Sequence, residues 1–330
     1  MSDSRNYFLN LTPGKLVGLK QITDANDKFK VLALDQTGVF REAFGQDTAQ
    51  TLAAKLALTR VVGAHSSSTL LDVVTSARQS LNSGALPKGV GLVVRLEKGC
   101  SAGDYGFEET GWNVAKLKRM GGSAVKLLVY MDVEDKKYTN SQIEFVRRTY
   151  EACAEHDIIL MTEELSYPRN DGEEKGDKNS PAYQQRRVKN IIEATRLIGP
   201  STDILKLEFP GDDHLEELNQ VAIRPWVLLS AGVNFGVFEK QVESTMKAGC
   251  SGIMAGRAIF KEWLDPKSPQ FQSDTFLVGE AVQRLQKLNA LVDQFATNWK
   301  DRYGLSDVDL AAGVPDRWYS REAATTTQGY

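Results

Sequence analysis

Short apolar segments alternate with amphipathic segments over most of the chain. Eight of the apolar segments have the length, the branched residues and the flanking polar or glycine residues that indicate buried β-strands. They begin at Phe29, Ser68, Gly91, Ala124, Ile158, Asp203, Pro225 and Ser251. Between them, amphipathic spacing predicts helices near residues 47–62, 112–120, 141–156, 184–198 and 238–248.

This alternation indicates a parallel sheet with helical crossovers, and therefore an α/β fold. Eight units between residues 29 and 260 are close to the roughly 250 residues typical of a (β/α)8 TIM barrel. A doubly wound open sheet usually has fewer strands and a glycine-rich turn after its first strand, where this chain has Asp35-Gln36-Thr37-Gly38. We therefore predict the barrel.

The domain boundaries follow from the same pattern. We predict an N-terminal extension (1–28), a barrel domain (29–300) that ends in a long helix near 276–299, and a C-terminal tail (301–330). A long polar loop over 168–181 follows the fifth strand. Because such loops form the active-site face of a barrel, it is either a lid or a solvated loop without a role.

Composition excludes several classes of function. A net charge of −3 argues against non-specific binding to nucleic acid or to an anionic membrane. No segment approaches the roughly 18 apolar residues of a membrane span, and the first residues lack the apolar stretch of a signal peptide. The three cysteines and three histidines have no disulfide or zinc-ligand spacing. We expect a cytoplasmic protein with no metal ion and no cofactor.

Two predicted strands contain a lysine in an otherwise apolar run, Lys126 and Lys206. Burying an ammonium group is costly, so such a lysine is either paired or needed for chemistry. An amine attacks a carbonyl only when it is neutral, and burial and a neighbouring cation both favour the neutral form. Lys206 is our candidate Schiff-base lysine, with Lys126 as the neighbouring charge.

Further charged residues converge on these lysines. Side chains alternate along a strand, so Lys126, Glu163 and Lys206 all face the interior if their strands form a barrel. Asp35 follows the first strand and joins them at the C-terminal end, where barrel active sites lie. Glu163 is the candidate acid/base, and Asp35 would orient a lysine or a substrate hydroxyl.

Two neighbouring glutamates receive different predictions. Glu164 should face the helices, whereas Glu208 shares the face of Lys206 and is a secondary candidate. A satisfied ion pair in the core would explain any one of these charged residues. An active site is favoured because four charged residues lie on, or directly after, four separate strands: Asp35, Lys126, Glu163 and Lys206.

The loops after the seventh and eighth strands predict a phosphate site, which we call the phosphate cup: Ser230, Gly232, Gly256 and Arg257. Barrels often bind phosphate at these two loops, through backbone N–H groups and a helix N-terminus. The glycines allow close approach of the backbone, and Ser230 and Arg257 add donors.

These segments resemble the class I tagatose 1,6-bisphosphate aldolase family, which also contains sulfofructose-phosphate aldolases. The matching motifs are Leu34-Asp35-Gln36, Ala124-Val125-Lys126-Leu127-Leu128, Glu163-Glu164-Leu165-Ser166-Tyr167, Asp203-Ile204-Leu205-Lys206-Leu207-Glu208, Leu229-Ser230-Ala231-Gly232-Val233 and Gly256-Arg257-Ala258. The resemblance implies a metal-independent lyase that cleaves a ketose bisphosphate to dihydroxyacetone phosphate and an aldehyde phosphate. By position, Lys206 would form the Schiff base, Glu163 would be the acid/base, Asp35 and Lys126 would assist, and the phosphate cup would hold the phosphate next to the ketone.

One position departs from the family pattern. The family commonly has an arginine after the Asp-Gln pair, where it helps to bind the distal anionic group, and this chain has Thr37. Arg41, Arg95, Lys98 or Arg169 could replace it.

The departure leaves three readings open. The leading one is an aldolase for tagatose 1,6-bisphosphate. The second is an aldolase for a related ketose phosphate such as sulfofructose phosphate. The third is a sensor that binds a sugar phosphate without turnover. In each case the partner is a small phosphorylated sugar; a homo-oligomer is compatible with the sequence, which predicts no interface.

Overall fold

The computed structural model describes residues 11–99, 101–306 and 309–310. Within them, eight parallel strands close into one barrel in sequence order, and β8 pairs with β1. The strands are β1 (Phe29–Ala33), β2 (Ser68–Asp72), β3 (Gly91–Arg95), β4 (Ala124–Met131), β5 (Ile159–Ser166), β6 (Ile204–Leu207), β7 (Trp226–Leu229) and β8 (Gly252–Ala255). The predicted (β/α)8 barrel is confirmed. Residues 1–10 of the predicted extension and 311–330 of the predicted tail lie outside the described residues.

Helices surround the barrel and close one of its ends. They are α1 (Pro13–Ile22), α2 (Thr37–Ala43), α3 (Thr48–Val61), α4 (Ala77–Asn82), α5 (Val114–Met120), α6 (Lys136–Glu155), α7 (Pro181–Ile198), α8 (Leu215–Val221), α9 (Phe235–Lys247), α10 (Arg257–Leu264), α11 (Asp274–Phe276), α12 (Val282–Phe295) and α13 (Trp299–Tyr303). The sequence pattern did not indicate α1, α2, α4, α8, α10 or α13, and α13 includes the first residues of the predicted tail. Each of these helices has at most 10 residues, which gives too few repeats of the apolar spacing to identify a helix.

The predicted long helix at 276–299 is interrupted in the structure. A π-helical turn (Leu277–Ala281) joins α11 to α12, which ends at Phe295. The chain is extended at Ala296, and the Asn298 side chain then caps α13 by accepting a hydrogen bond from the Asp301 N–H.

The strands separate two apolar layers, because alternate side chains point to opposite faces of the sheet. Residues such as Val93, Ala124 and Ile204 fill the barrel interior. Their neighbours Val94, Val125 and Leu205 pack against the surrounding helices in the larger core. This alternation determines which polar side chains can reach the interior.

The N-terminal end of the barrel is closed by α1 and α13. Leu19 and Ile22 of α1 and Trp299 and Tyr303 of α13 belong to the interior apolar cluster. Polar groups also join this layer, since the Tyr303 hydroxyl donates to the Asp203 carbonyl at 2.7 Å. Among the described residues, the interior therefore opens at the C-terminal end and not at this one.

The polar loop over 168–181 is attached to the rim of the barrel. Arg169 donates to both carboxylate oxygens of Asp132 at 2.7 Å. Arg186 of α7 pairs with Glu174 at 2.5 Å and also donates to the Tyr167 carbonyl. No residue of this loop lines the cavity described below, so the structure does not support a lid.

No helix in the described part of the chain combines the length and apolar character needed to cross a membrane.

Candidate active site

A cavity of about 400 Å³ opens at the C-terminal end of the barrel. All eight side chains or glycines predicted from the sequence line it: Asp35, Lys126, Glu163, Lys206, Ser230, Gly232, Gly256 and Arg257. They come from six strands or the loops that follow them. The structure therefore brings the two predicted groups, the charged cluster and the phosphate cup, into one space.

Strand alternation explains why the charged residues meet. Lys126 lies two residues after the interior Ala124, Lys206 two after Ile204, and Glu163 two after Met161. Parallel register also places Lys206 beside Glu163 on adjacent strands. An apolar floor thus continues directly into the charged layer.

Lys126 is the centre of the charged cluster. Its ammonium lies 3.0 Å from Asp35 Oδ2, 2.7 Å from Glu97 Oε1 and 2.7 Å from Glu163 Oε2. Burial alone would lower the pKa of Lys126, but the charges of these three carboxylates outweigh it and raise the pKa above its ordinary value. Of the two alternatives that the sequence left open for a buried lysine, Lys126 is therefore the paired cation.

Asp35 is held in its charged form by the same cluster. Burial alone would raise the pKa of Asp35. The positive charges of Lys126, Lys206 and Arg95 outweigh burial, so the pKa lies well below its ordinary range. Arg95 also fixes the backbone here by donating from Nη1 to the Asp35 carbonyl at 2.7 Å.

Lys206 contacts Glu163 directly. Its amine is 2.9 Å from Oε2 of Glu163, the oxygen that also pairs with Lys126. Burial raises the pKa of Glu163, but the charges of Lys126 and Lys206 outweigh burial and lower it. Glu163 is thus an ionised carboxylate shared by two amines, placed to accept a proton from either.

Glu97 is a member of the cluster that the sequence analysis missed. It is 3% exposed, lines the cavity and contacts Lys126 through Oε1. The signal was present, because Val93, Arg95 and Glu97 continue the inward alternation of β3. The apolar run of this strand ends at Leu96, so the sequence places Glu97 in a loop, where a polar residue usually faces solvent.

The phosphate cup has local geometry that requires its glycines. Gly232 has φ of 76°, and a Cβ there would lie 3.0 Å from the Arg257 guanidinium carbon. The Gly256 N–H donates to the Ser230 hydroxyl at 3.3 Å, which ties the two loops together. Arg257 begins α10. Backbone donors, a hydroxyl and a guanidinium therefore surround one corner of the cavity.

The two neighbouring glutamates lie behind the barrel wall. Glu164 faces α7, where Asn190 Nδ2 donates to its Oε1 at 3.1 Å, as predicted. The prediction for Glu208 is wrong: it accepts from the Ser166 N–H at 2.9 Å and pairs with Arg187 of α7 at 3.3 Å. Because β6 ends at Leu207, the strand alternation does not extend to Glu208.

Among the described residues, no group of three or more His, Cys, Asp or Glu side chains is arranged to hold a metal ion. The carboxylates of the cavity instead converge on the ammonium groups of Lys126 and Lys206. The arrangement suits proton transfer and nucleophilic attack by an amine.

Comparison with known proteins gives relatives that are named as tagatose 1,6-diphosphate aldolases. The chain is 25% identical over 340 residues to the tagatose 1,6-diphosphate aldolase of Streptococcus agalactiae serotype V, covering 89% of this chain and 100% of that protein. It is 25% identical over 336 residues to the tagatose 1,6-diphosphate aldolase of Lactococcus lactis subsp. lactis, covering 88% of this chain and 99% of the relative.

A solved structure shares the fold. An archaeal fructose-1,6-bisphosphate aldolase, with its catalytic lysine covalently bound to the carbinolamine intermediate of the substrate, superimposes with a TM-score of 0.55 at 18% identity. The superposition covers 88% of this chain and 99% of that chain. A family model described as DeoC/LacD family aldolase matches residues 29–262, which is most of the chain and includes every residue of the charged cluster and the phosphate cup. The chain belongs to the DeoC/LacD family of aldolases.

Proposed function

We propose that this aldolase is a class I enzyme that cleaves tagatose 1,6-bisphosphate to dihydroxyacetone phosphate and glyceraldehyde 3-phosphate. One observation carries the proposal: the buried amine of Lys206 lies 2.9 Å from Glu163 Oε2, in the cavity that also contains the phosphate cup. A ketone held through its neighbouring phosphate would be presented to this amine.

The reaction begins with the neutral amine of Lys206. Its lone pair attacks C2 of the ketose, and the carbonyl oxygen takes up a proton to give a carbinolamine. Loss of that oxygen as water leaves an iminium ion on Lys206. Glu163 is placed to accept the proton of the ammonium and to return one to the departing water.

Cleavage then uses the iminium as an electron sink. A base removes the proton of the C4 hydroxyl, the C3–C4 bond breaks, and its electron pair moves into the iminium to form an enamine. The aldehyde leaves, the enamine is protonated at C3, and water hydrolyses the resulting iminium to free dihydroxyacetone phosphate and Lys206. The lowered pKa of Glu163 keeps the carboxylate ionised, so that it has no proton of its own when it acts as the base.

The names of the relatives support tagatose 1,6-bisphosphate over a sulfonated sugar phosphate, since both relatives described above are tagatose 1,6-diphosphate aldolases. The charged cluster also argues against a sensor without turnover. Binding a sugar phosphate requires the phosphate cup, but it does not require two amines paired with three buried carboxylates.

The distal phosphate needs a second cationic group, because Thr37 is neutral. Of the four basic residues considered, Arg95 and Lys98 line the cavity, whereas Arg41 and Arg169 do not. Arg95 is buried against the Asp35 carbonyl, and Arg169 is paired with Asp132. Lys98 is exposed at the mouth. We assign the distal phosphate to Lys98.

Sodium borohydride provides the test, because it reduces an iminium to a stable secondary amine. With dihydroxyacetone phosphate present, the wild-type protein should gain one reduced adduct, and peptide mapping should place it on Lys206. Lys206→Ala should abolish both the adduct and the cleavage of tagatose 1,6-bisphosphate. Lys189→Ala, at a lysine with a 64% exposed side chain, is the control and should behave as wild type.

An adduct on another lysine, or none, would contradict the proposed chemistry. Full activity after removal of divalent metals with a chelator is also expected, and a loss restored by metal would indicate a different aldolase class. Comparing rates on tagatose, fructose and sulfofructose phosphates tests the substrate separately from the mechanism.

We further propose that the enzyme acts in the cytoplasm; its described cysteines, Cys153 and Cys250, are buried and unbridged.

A further inference from the structure

Glu97 has one carboxylate oxygen that the charged cluster does not use. Oε1 accepts from the Lys126 ammonium at 2.7 Å. Oε2 is buried and has no hydrogen-bond partner in the described structure. A buried oxygen without a partner is uncommon, and one in a cavity wall is able to form a hydrogen bond with a ligand.

The position of Glu97 in the barrel shows which part of a substrate it could meet. It follows β3, which lies four strands from β7 in the closed ring of eight. Glu97 is therefore on the opposite side of the mouth from Ser230 and Gly232 of the phosphate cup. A sugar held by one phosphate in the cup, with its ketone at Lys206 on β6, has only its far half left to extend toward β3.

We propose that Glu97 is a substrate-contacting residue whose Oε2 forms a hydrogen bond with a hydroxyl group on the aldehyde-derived half of the sugar. This inference rests on the proposed function, because it takes the orientation of the substrate from Lys206 and the phosphate cup. It gives Glu97 a role beyond that of a counter-ion for Lys126.

The electrostatics agree with this role. The charged groups that act on Glu97 are Lys126 on β4, Arg95 at the end of β3 and Asp35 after β1. Burial raises the pKa of Glu97, and the charges of Lys126 and Arg95 only partly oppose it. The pKa of Glu163 is lowered in the same cavity. Two carboxyl groups with opposite pKa shifts in one cavity are suited to different tasks, Glu163 to remaining ionised between the two amines and Glu97 to forming a hydrogen bond with a ligand.

The test separates the two halves of the substrate. Dihydroxyacetone phosphate contains only the ketone half, so borohydride trapping on Lys206 measures that half alone. Cleavage of the six-carbon bisphosphate requires both halves. For Glu97→Ala we expect trapping within about two-fold of wild type and kcat/KM for cleavage lower by roughly ten- to hundred-fold, the effect of losing a buried hydrogen bond. Glu97→Gln, which keeps the shape and a donor, should recover most of the loss.

Glu108→Gln is the matched control. Glu108 forms an isolated antiparallel bridge with Glu97 through the backbone but does not line the cavity, so trapping and cleavage should both stay at the wild-type level. An equal fall in trapping and cleavage for Glu97→Ala would overturn the inference and make Glu97 a support for Lys126. Unchanged cleavage would overturn it as well. If the wild-type protein itself is not trapped on Lys206, it is the proposed function that fails.

Discussion

Lys126 determines the charge balance of the site at the scale of single residues. Three carboxylates lie within 3.0 Å of its ammonium, and one cation cannot neutralise all of them. The balance is completed by Lys206, which contacts Glu163, and by Arg95, whose charge acts on Asp35 and Glu97. Three cations therefore face three carboxylates, which allows the cluster to remain buried without excess charge. Transferring a proton between groups of this balanced cluster should therefore cost less free energy than creating an unpaired charge in the buried cavity.

Lys98 is the residue where charge should affect substrate binding rather than chemistry. If it binds the distal phosphate, Lys98→Ala should raise KM for the six-carbon bisphosphate by about ten-fold or more, the contribution of a hydrogen bond to a charged group. Trapping of dihydroxyacetone phosphate on Lys206 should not change, since that substrate has no distal phosphate. Arg41→Ala is the control, because Arg41 lies near the same face but does not line the cavity. A kcat effect with unchanged KM would assign Lys98 a different role.

At the scale of elements, strand periodicity accounts for both what could be predicted from the sequence and what could not. Asp35, Lys126, Glu163 and Lys206 were predictable, because each continues an inward alternation from a clear apolar run. Glu97 continues such an alternation too, but beyond the point where its strand becomes recognisable. The short helices contain too few repeats of the apolar spacing to be recognised. The π-helical turn (Leu277–Ala281) has no apolar spacing that distinguishes it from an α-helix.

The outer face of β5 carries a separate charged residue whose effect should be on stability. Glu164 is fully buried, and its Oε2 has no hydrogen-bond partner in the described structure. Burial, together with the charge of Glu208, raises the pKa of Glu164 well above its ordinary value of 4.5. A raised pKa in the folded state means that the stability present below pH 4.5 is lost as the pH rises through the folded value.

Glu164→Gln should therefore stabilise the protein in a pH-dependent way. Below pH 4.5 both side chains are neutral and the variant should match wild type. As the pH rises, the wild-type carboxyl group becomes costly to ionise, so the variant should gain about 1.4 kcal/mol for each unit by which the folded pKa is raised. Thermal unfolding from about pH 4 to 8 measures this, at roughly 1–2 °C per kcal/mol for a domain of this size.

Glu193→Gln on α7, whose side chain is 43% exposed, is the control for removing a negative charge near the same helix. Its unfolding temperature should follow wild type across the pH range. A stability difference between Glu164→Gln and wild type that is the same at every pH would mean that packing, rather than ionisation, explains the effect.

At the scale of the whole molecule, the two ends of the barrel have different tasks. The C-terminal end is open and lined with charge, whereas α1 and α13 cover the N-terminal end with apolar side chains. A buried ion pair fixes α1 to this end: the Lys15 ammonium donates to both oxygens of Asp203, at 2.9 and 2.8 Å. Asp203 Oδ2 also accepts from the Leu160 N–H at 2.8 Å. Function and closure thus lie at opposite ends of the same strands.

This separation predicts that breaking the Lys15–Asp203 ion pair at the N-terminal end will destabilise the fold without altering catalysis at the C-terminal end. Lys15→Met removes a cation whose side chain is 0% exposed and leaves Asp203 charged and buried, which should lower the free energy of unfolding by about 3–5 kcal/mol. Lys20→Met makes the same substitution at an exposed position of α1 and should change stability by less than about 0.5 kcal/mol. Urea unfolding measures the free energy of unfolding of both variants.

At temperatures where the variants are folded, kcat/KM and trapping on Lys206 should equal the wild-type values, because the pair lies at the closed end of the barrel. A fall in trapping for folded Lys15→Met would show that the two ends are coupled through the interior, and equal stability losses for the two variants would assign the effect to the helix rather than to the ion pair.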